Sequence, residues 1–309
     1  MTKFLSDYET LLNELLAIAA AHCQPVNGVF ELTERCNLKC EMCYIGKPRK
    51  DYISQKKELQ ASDWVRLAQM ASNNGMLFLL ITGGEIFVRD DFFQIYQPIT
   101  KLGLVIVLFT NGTLISDTTA QKLSENPPNR IEITLYGGTK KTYEAITGVK
   151  NSYDHCCKGI ELLLSEGLPV VLKSTITRNN VQDLEKMRNM AASWGVPFSA
   201  SWLLTRRRDG SLDNIESLRL PPNECVDLEN KRYAREQEWI ENALRQSPEG
   251  DNRNFFCHAG RSSFVINATG EMIPCIDIQS PSIRPLDIDF SAAWEVTQDY
   301  VRKAPPSFR

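Results

Sequence analysis

The chain has 309 residues, 42% hydrophobic and 24% charged, with a formal net charge of −3 at pH 7. This is globular composition, which excludes a disordered or low-complexity chain. No basic excess is available to hold a nucleic-acid backbone, and no apolar run reaches the ~18 residues that span a bilayer.

Phe4, Leu5, Tyr8, Leu11, Leu12, Leu15 and Leu16 recur at three- and four-residue intervals, which predicts an amphipathic helix ended by Pro25 and Gly28. Leu15–Ala21 is not a signal peptide, because Asp7, Glu9 and Glu14 precede it where positive charge belongs. Six β-rich apolar runs follow: Val29–Leu32, Phe78–Thr82, Leu104–Thr110, Ile131–Tyr136, Val170–Thr177 and Pro197–Leu204. Helical patterns near Ala61–Asn74, Phe92–Leu102, Thr118–Ser124, Tyr153–Ser165 and Val181–Ser193 separate them. Such alternation predicts parallel pairing, with chemistry collected at the carboxyl ends of the strands. Most of the runs are apolar at consecutive positions, as in strands covered on both faces. Pro221 and Pro222 start a charged helix to about Gln246, and Ser247–Asn254 reads as a solvated linker. Ser263–Asn267 and Glu271–Ile276 flank Ala268-Thr269-Gly270 as a β-hairpin, and a helix around Ala292–Arg302 closes the chain.

Nine cysteines, an odd number without an export signal, point to reduced thiols or metal ligation and to a reducing cytoplasm. The strongest feature is Cys36-Asn-Leu-Lys-Cys40-Glu-Met-Cys43-Tyr44, directly after the first strand. Three soft thiolates on one short loop suit a cubane iron–sulfur cluster. Structural zinc closes with four ligands, and the nearest others, His22 and Cys23, belong to the preceding helix. Three protein ligands leave one iron open to an outside molecule. Thr82-Gly83-Gly84-Glu85 ends the second strand: its glycines permit close backbone approach, and its carboxylate can accept a charge-assisted hydrogen bond. Thr110-Asn111-Gly112-Thr113 and Thr134-Leu135-Tyr136-Gly137 close strands three and four. Strand five carries Lys173-Ser174-Thr175-Ile176-Thr177-Arg178, where Lys173 faces an anionic group or a solvated rim.

The Cys-x3-Cys-x2-Cys loop followed by Gly-Gly-Glu in the next strand resembles the radical S-adenosylmethionine (radical SAM) superfamily. The resemblance implies an α/β fold, a partial (β/α)6 barrel. It also implies a 4Fe-4S cluster on Cys36, Cys40 and Cys43 whose open iron chelates S-adenosylmethionine (SAM). One electron then cleaves SAM to a 5′-deoxyadenosyl radical that abstracts hydrogen, so a reductant such as flavodoxin or ferredoxin is an expected partner. Gly83, Gly84 and Glu85 fall at the SAM ammonium, Thr134 at a further SAM contact, and Lys173, Ser174 and Arg178 near SAM or substrate. Met42 stands where many relatives place an aromatic over adenine, and Tyr44 can compensate. Ile86 replaces a common proline, and Thr147-Gly148 stands where some relatives carry arginine.

Cys257, Gly270 and Cys275 resemble the opening of the SPASM/twitch extension, which holds auxiliary iron–sulfur clusters. Two thiolates alone do not hold a cubane, and Arg309 falls about where further cysteines would begin, so the extension reads as incomplete. The other reading is two buried free thiols. The expected division is an amino-terminal helix (1–28), the barrel (29–220), a linking helix (221–254) and the SPASM-like extension (255–309). Cys156 and Cys157 are neighbours on a helix and point about 100° apart, so one is expected buried; Cys23 is expected in the core. Cys225, near a helix start, is a candidate donor of a hydrogen atom to a substrate radical. Arg206, Arg207 and Arg208 either grip a carboxylate or form a solvated turn.

The resulting functional expectation is a radical SAM enzyme that modifies a peptide or protein, such as a ribosomal precursor peptide. About 28 residues precede strand one, too few for a separate leader-binding domain, so a peptide is expected to bind the barrel or arrive with a partner. The competing expectations are a radical SAM enzyme of small-molecule cofactor biosynthesis and a non-catalytic iron–sulfur carrier or sensor.

Overall fold

The computed structural model describes residues 14–46, 58–208, 215–233 and 257–303. The predicted six strands are present as β1 (Asn27–Glu31), β2 (Phe78–Thr82), β3 (Val105–Thr110), β4 (Arg130–Thr134), β5 (Val170–Thr175) and β6 (Phe198–Ser201). They pair in parallel in chain order, β6-β5-β4-β3-β2-β1. Helices Ala61–Asn73, Phe92–Thr100, Asp117–Glu125, Ser152–Ser165 and Leu184–Ser193 provide the crossovers.

Burial alternates along the strands rather than covering both faces. Phe30, Leu79, Ile81, Leu108, Ile131, Ile133 and Leu172 are buried against Trp64, Leu67, Ile95, Tyr96, Ile160, Leu163 and Met187 of the helices. The opposite, inner face carries Val29, Leu80, Val107, Phe109, Glu132, Thr134 and Lys173, all half-buried. The expectation of double coverage is therefore corrected. β1, β2 and β3 are largely apolar on both faces, yet the inner face encloses space, including a cavity of about 340 Å³ lined in part by Val29, Leu80, Val107, Phe109 and Arg130.

Two arrangements were not legible in periodicity. Helix Lys140–Thr147 follows β4; Thr139 caps it by accepting from the Thr142 amide, and Gly148 ends it in the left-handed region. Its apolar face is only Tyr143 and Ile146, too little to register as a pattern. The predicted hairpin forms as β7 (Ser263–Ile266) and β8 (Met272–Ile273), but β7 pairs in parallel with β1. The carboxyl-terminal segment thus continues the barrel sheet on its far side. Helix Phe290–Lys303 secures it: Phe290 and Trp294 pack their rings on Phe264, and the Trp294 indole donates to the Cys23 carbonyl.

Cys23 itself is half-buried rather than in the core, while Cys156 is fully buried and Cys157 half-buried, as their spacing on a helix required. Of the amino-terminal helix only residues 14–21 are described, and the expected linker at 247–254 lies outside the described residues. The charged helix is described as Pro222–Tyr233. Among the described residues no helix is long and apolar enough to cross a membrane.

Candidate active site

The cysteine loop leaves β1 at the carboxyl end of the sheet, and three neighbours hold it. The first is the end of β2. The parallel ladder continues past the strands: Leu32 donates to the Thr82 carbonyl (2.9 Å), Gly84 to Thr33 (2.7 Å) and Glu85 to Arg35 (2.9 Å). This explains the glycine pair. A Cβ on Gly83 would stand 2.4 Å from the Thr33 oxygen, and one on Gly84 2.3 Å from the Arg35 oxygen, while Gly83 has φ +141°. Close approach was expected, but the partner is the backbone leading into Cys36.

The second neighbour is the end of β3, reached through Glu85. This carboxylate is 1% exposed. It accepts from the Thr110 hydroxyl (2.7 Å), the Asn111 amide (2.6 Å) and the Phe87 amide (3.2 Å). Asn111 then donates its side-chain amide to Asn37 (2.9 Å) and toward the Cys36 sulfur (3.8 Å), and Asn37 donates to Thr113 (2.7 Å). The Glu85 side chain therefore braces two strand ends from inside; the part of the motif left for a ligand is backbone. Burial raises the Glu85 pKa against the opposing pull of its hydrogen bonds. Glu85→Gln must turn its amide nitrogen toward at least one of these donors and is expected to cost about 1–3 kcal/mol. A group whose pKa is raised on folding stabilises most at low pH and loses that contribution as pH rises through the raised value. Urea unfolding across pH should therefore show the wild-type slope above the ordinary carboxylate range flattened in the variant.

The third neighbour is helix Lys140–Thr147, whose last carbonyls, Ile146 and Thr147, accept from Glu41 (3.1 Å) and Lys39 (2.8 Å). The preceding Tyr136 lies beside Cys40, where its hydroxyl favours the thiolate.

Cys36 is exposed, and Cys40 and Cys43 are half-buried. Burial pushes the half-buried Cys40 thiol up to about 12, with the neighbouring thiols adding to the rise, and partial desolvation of its sulfur, with Glu85 and Cys43, moves Cys36 in the same direction. Such thiols ionise when a metal supplies compensating charge. Among the described residues no three Cys, His, Asp or Glu side chains converge on a single ion. Three thiols on one loop, within electrostatic reach of one another, match a cluster whose irons each take one sulfur. Donors to Cys36 from the Leu38 amide (3.4 Å) and Asn111 suit a metal-bound thiolate. The donor set fits the iron–sulfur group implied by the sequence.

The remaining expected residues divide. Thr134 ends β4 on the inner face, in register with Lys173. Met42 is 8% exposed, in a small apolar cluster with Ile146, Leu204, Ile215 and Leu218. Tyr44 is corrected: its hydroxyl donates to Glu31 (2.6 Å) and its carbonyl accepts from the Arg208 amide (2.8 Å), so it locks the loop rather than covering a ring. Arg208 also pairs with Glu31 and with Glu34 (2.6 Å), and Arg207 donates to the Glu41 carbonyl (3.2 Å). The basic turn after β6 thus clasps the cysteine loop, and of its three arginines only Arg206 is exposed.

Ser174 is corrected as well. Strand alternation turns it to the helix side, where it is 2% exposed, away from the inner face. Arg178 is exposed and donates to the Arg219 carbonyl (2.7 Å). Cys225 is half-buried against the hydrophobic core, and no described contact joins it to the cysteine loop. The Cys275 thiol is raised chiefly by burial, and Cys257 lies near enough to add slightly to the rise.

A sequence profile described as the Radical SAM superfamily matches residues 30–191. The chain is 28% identical over 256 residues to the antilisterial bacteriocin subtilosin biosynthesis protein AlbA of Bacillus subtilis (strain 168), covering 81% of this chain and 55% of that protein. It is 30% identical over 201 residues to the Fe-coproporphyrin III synthase of Methanosarcina barkeri (strain Fusaro / DSM 804), covering 65% and 49%. The chain thus spans about half the length of these curated relatives. Among solved structures, Streptococcus suis SuiB bound to S-adenosylmethionine matches with a TM-score of 0.71 at 19% identity, over 96% of this chain and 73% of that one. SuiB bound to precursor peptide SuiA matches with a TM-score of 0.67 at 19% identity, over 96% and 72%. At that identity the likeness is one of fold.

Proposed function

The chain belongs to the radical SAM superfamily, and on that premise we propose that it is an enzyme that holds a 4Fe-4S cluster on Cys36, Cys40 and Cys43, binds S-adenosylmethionine beside it and acts on a peptide or protein. When bound, the cluster and SAM supply a 5′-deoxyadenosyl radical that takes hydrogen from the substrate. The observation that carries this reading is the hydrogen-bonded array from Glu85 through Thr110 and Asn111 to Cys36 and Asn37. It fixes one open thiol loop against two strand ends at the carboxyl edge of the sheet, where ligands of such folds bind.

The roles of the protein's own residues follow. Backbone groups of Gly83–Glu85 and the side chain of Thr134 orient the amino-acid part of SAM. Met42 and its apolar neighbours offer a dry wall for the adenine. Lys173, on the inner face, serves the substrate side. Cys257 and Cys275 form half of an auxiliary site, and a flavodoxin or ferredoxin supplies the electron. Support for a peptide comes from the kinship with AlbA, a bacteriocin biosynthesis protein, and from the half-open inner face.

The kinship with Fe-coproporphyrin III synthase favours a second reading, a small cofactor precursor as substrate. Anaerobically reconstituted protein, given dithionite and SAM, should accumulate 5′-deoxyadenosine. An intact cluster that yields none would leave the carrier reading standing. Uptake of deuterium into 5′-deoxyadenosine from a deuterated peptide decides for the peptide; uptake only from a deuterated tetrapyrrole decides for the small molecule.

A further inference from the structure

Below Glu31 and Thr134, which lie at the rim, the inner face carries one charged group of three. Lys173 reaches Glu132 at 3.4 Å, and Glu132 also holds Arg130 at 2.6 Å. Register places Glu132 beside Phe109 and Val171, one inward-facing step further from the catalytic rim than Lys173 and Thr134. The Lys173 ammonium therefore points down into the barrel, away from the cysteine loop, and it lies over the ring of Phe109.

Charge does not balance there. One carboxylate is shared between two cations, which leaves one positive charge over whenever Lys173 is protonated. Arg130 is half exposed and can satisfy itself with water, but the Lys173 side chain is only 23% exposed. Its desolvation is severe enough to pull its pKa down to about 7 despite Glu132. The Phe109 ring supplies part of the missing compensation; a second carboxylate would supply the rest. Beside this group lies the cavity of about 340 Å³, with Val29, Leu80 and Val107 on its wall.

We infer that Lys173 is the anchor for a carboxylate of the substrate, and that the substrate is an acidic peptide whose Asp or Glu side chain meets Lys173 while a neighbouring apolar side chain enters the cavity. This rests on the proposed peptide substrate and names its chemistry. Glu132 holds the ammonium in place in the free enzyme and is the group with which the incoming carboxylate competes.

The test uses the reconstituted protein and two probes, acetyl-Ala-Glu-Leu-amide and acetyl-Ala-Gln-Leu-amide, with dissociation constants read by saturation-transfer NMR. The Glu peptide should bind about tenfold more tightly than the Gln peptide, the size of one charge-assisted contact. Lys173→Met should erase the difference, Lys173→Arg should keep it, and Glu132→Gln should widen it. Equal binding of the two peptides by wild type, or a preference that survives Lys173→Met, overturns the inference. So does a Lys173→Met variant that loses affinity for SAM and keeps its peptide preference, because the carboxylate would then be the cofactor's. The parent reading fails separately: wild type that prefers the Glu peptide but never forms 5′-deoxyadenosine keeps this anchor and loses the enzyme.

Discussion

Gly84→Ala is expected to lower stability by about 3 kcal/mol and to strip the protein of most of its cluster iron. The added methyl would sit 2.3 Å from the Arg35 carbonyl oxygen and 2.8 Å from that of Glu34. Both obstacles are backbone, so no side-chain rotation relieves the overlap. Either β2 or the segment entering the cysteine loop must move, and two short hydrogen bonds, Gly84 to Thr33 and Glu85 to Arg35, are lost with the movement. The right control is Gly167→Ala. That glycine has φ +68° with nothing within 4 Å of its added Cβ, so it carries the conformational cost, about 1–2 kcal/mol, without touching the site. Urea unfolding and iron per chain, measured on both variants, separate the two effects: both lose stability, but only Gly84→Ala loses iron. Equal iron retention would mean that the glycine pair does not seat the loop.

Arg208→Met is expected to cost about 3–5 kcal/mol, the usual penalty for removing one partner from a buried ion cluster. Glu31 is fully buried and Glu34 nearly so, and the Arg208 guanidinium faces both from a side chain 8% exposed. Without it, the Tyr44 hydroxyl is the one side-chain partner left to Glu31 among the described residues. Burial already raises the Glu34 pKa while Arg208 opposes the rise, so the variant should carry Glu34 still higher. By linkage, its stability deficit grows as pH rises, because the uncompensated carboxylates are forced to ionise. Combining Arg208→Met with Glu31→Gln should recover part of the loss, since the cost comes from stranded charge rather than from lost packing. Unfolding midpoints of the two single variants and the double variant at two pH values provide the check, and strictly additive losses would refute the coupling.

Strand order, crossover helices and the placement of the motifs at strand ends were legible because each is written locally, in apolar runs and in the polar residues that close them. What escaped depends on contacts between distant segments. Nothing near Glu85 says that its carboxylate turns inward to Thr110 and Asn111, because the donors lie about 25 residues on. Arg208 meets Glu31 from 177 positions away, and its position in a run of arginines suggested a ligand grip equally well. Ser174 and Lys173 are adjacent in sequence but face opposite sides of β5, which alternation alone could have separated once the inner face was known. The parallel pairing of β7 with β1 likewise has no local signature. The cysteine spacing, by contrast, needed no tertiary information: a loop of eight residues contains all three ligands.

The central claim is that Cys36, Cys40 and Cys43 alone hold a cluster with one iron free for S-adenosylmethionine. Electron paramagnetic resonance of the dithionite-reduced Cys257→Ala/Cys275→Ala double variant, prepared without oxygen, tests it most directly. The account predicts about four irons per chain, as one cubane requires, and a reduced-cluster signal whose g-values move when SAM is added. A colourless zinc-bearing protein, or a cluster signal unchanged by saturating SAM, would contradict it.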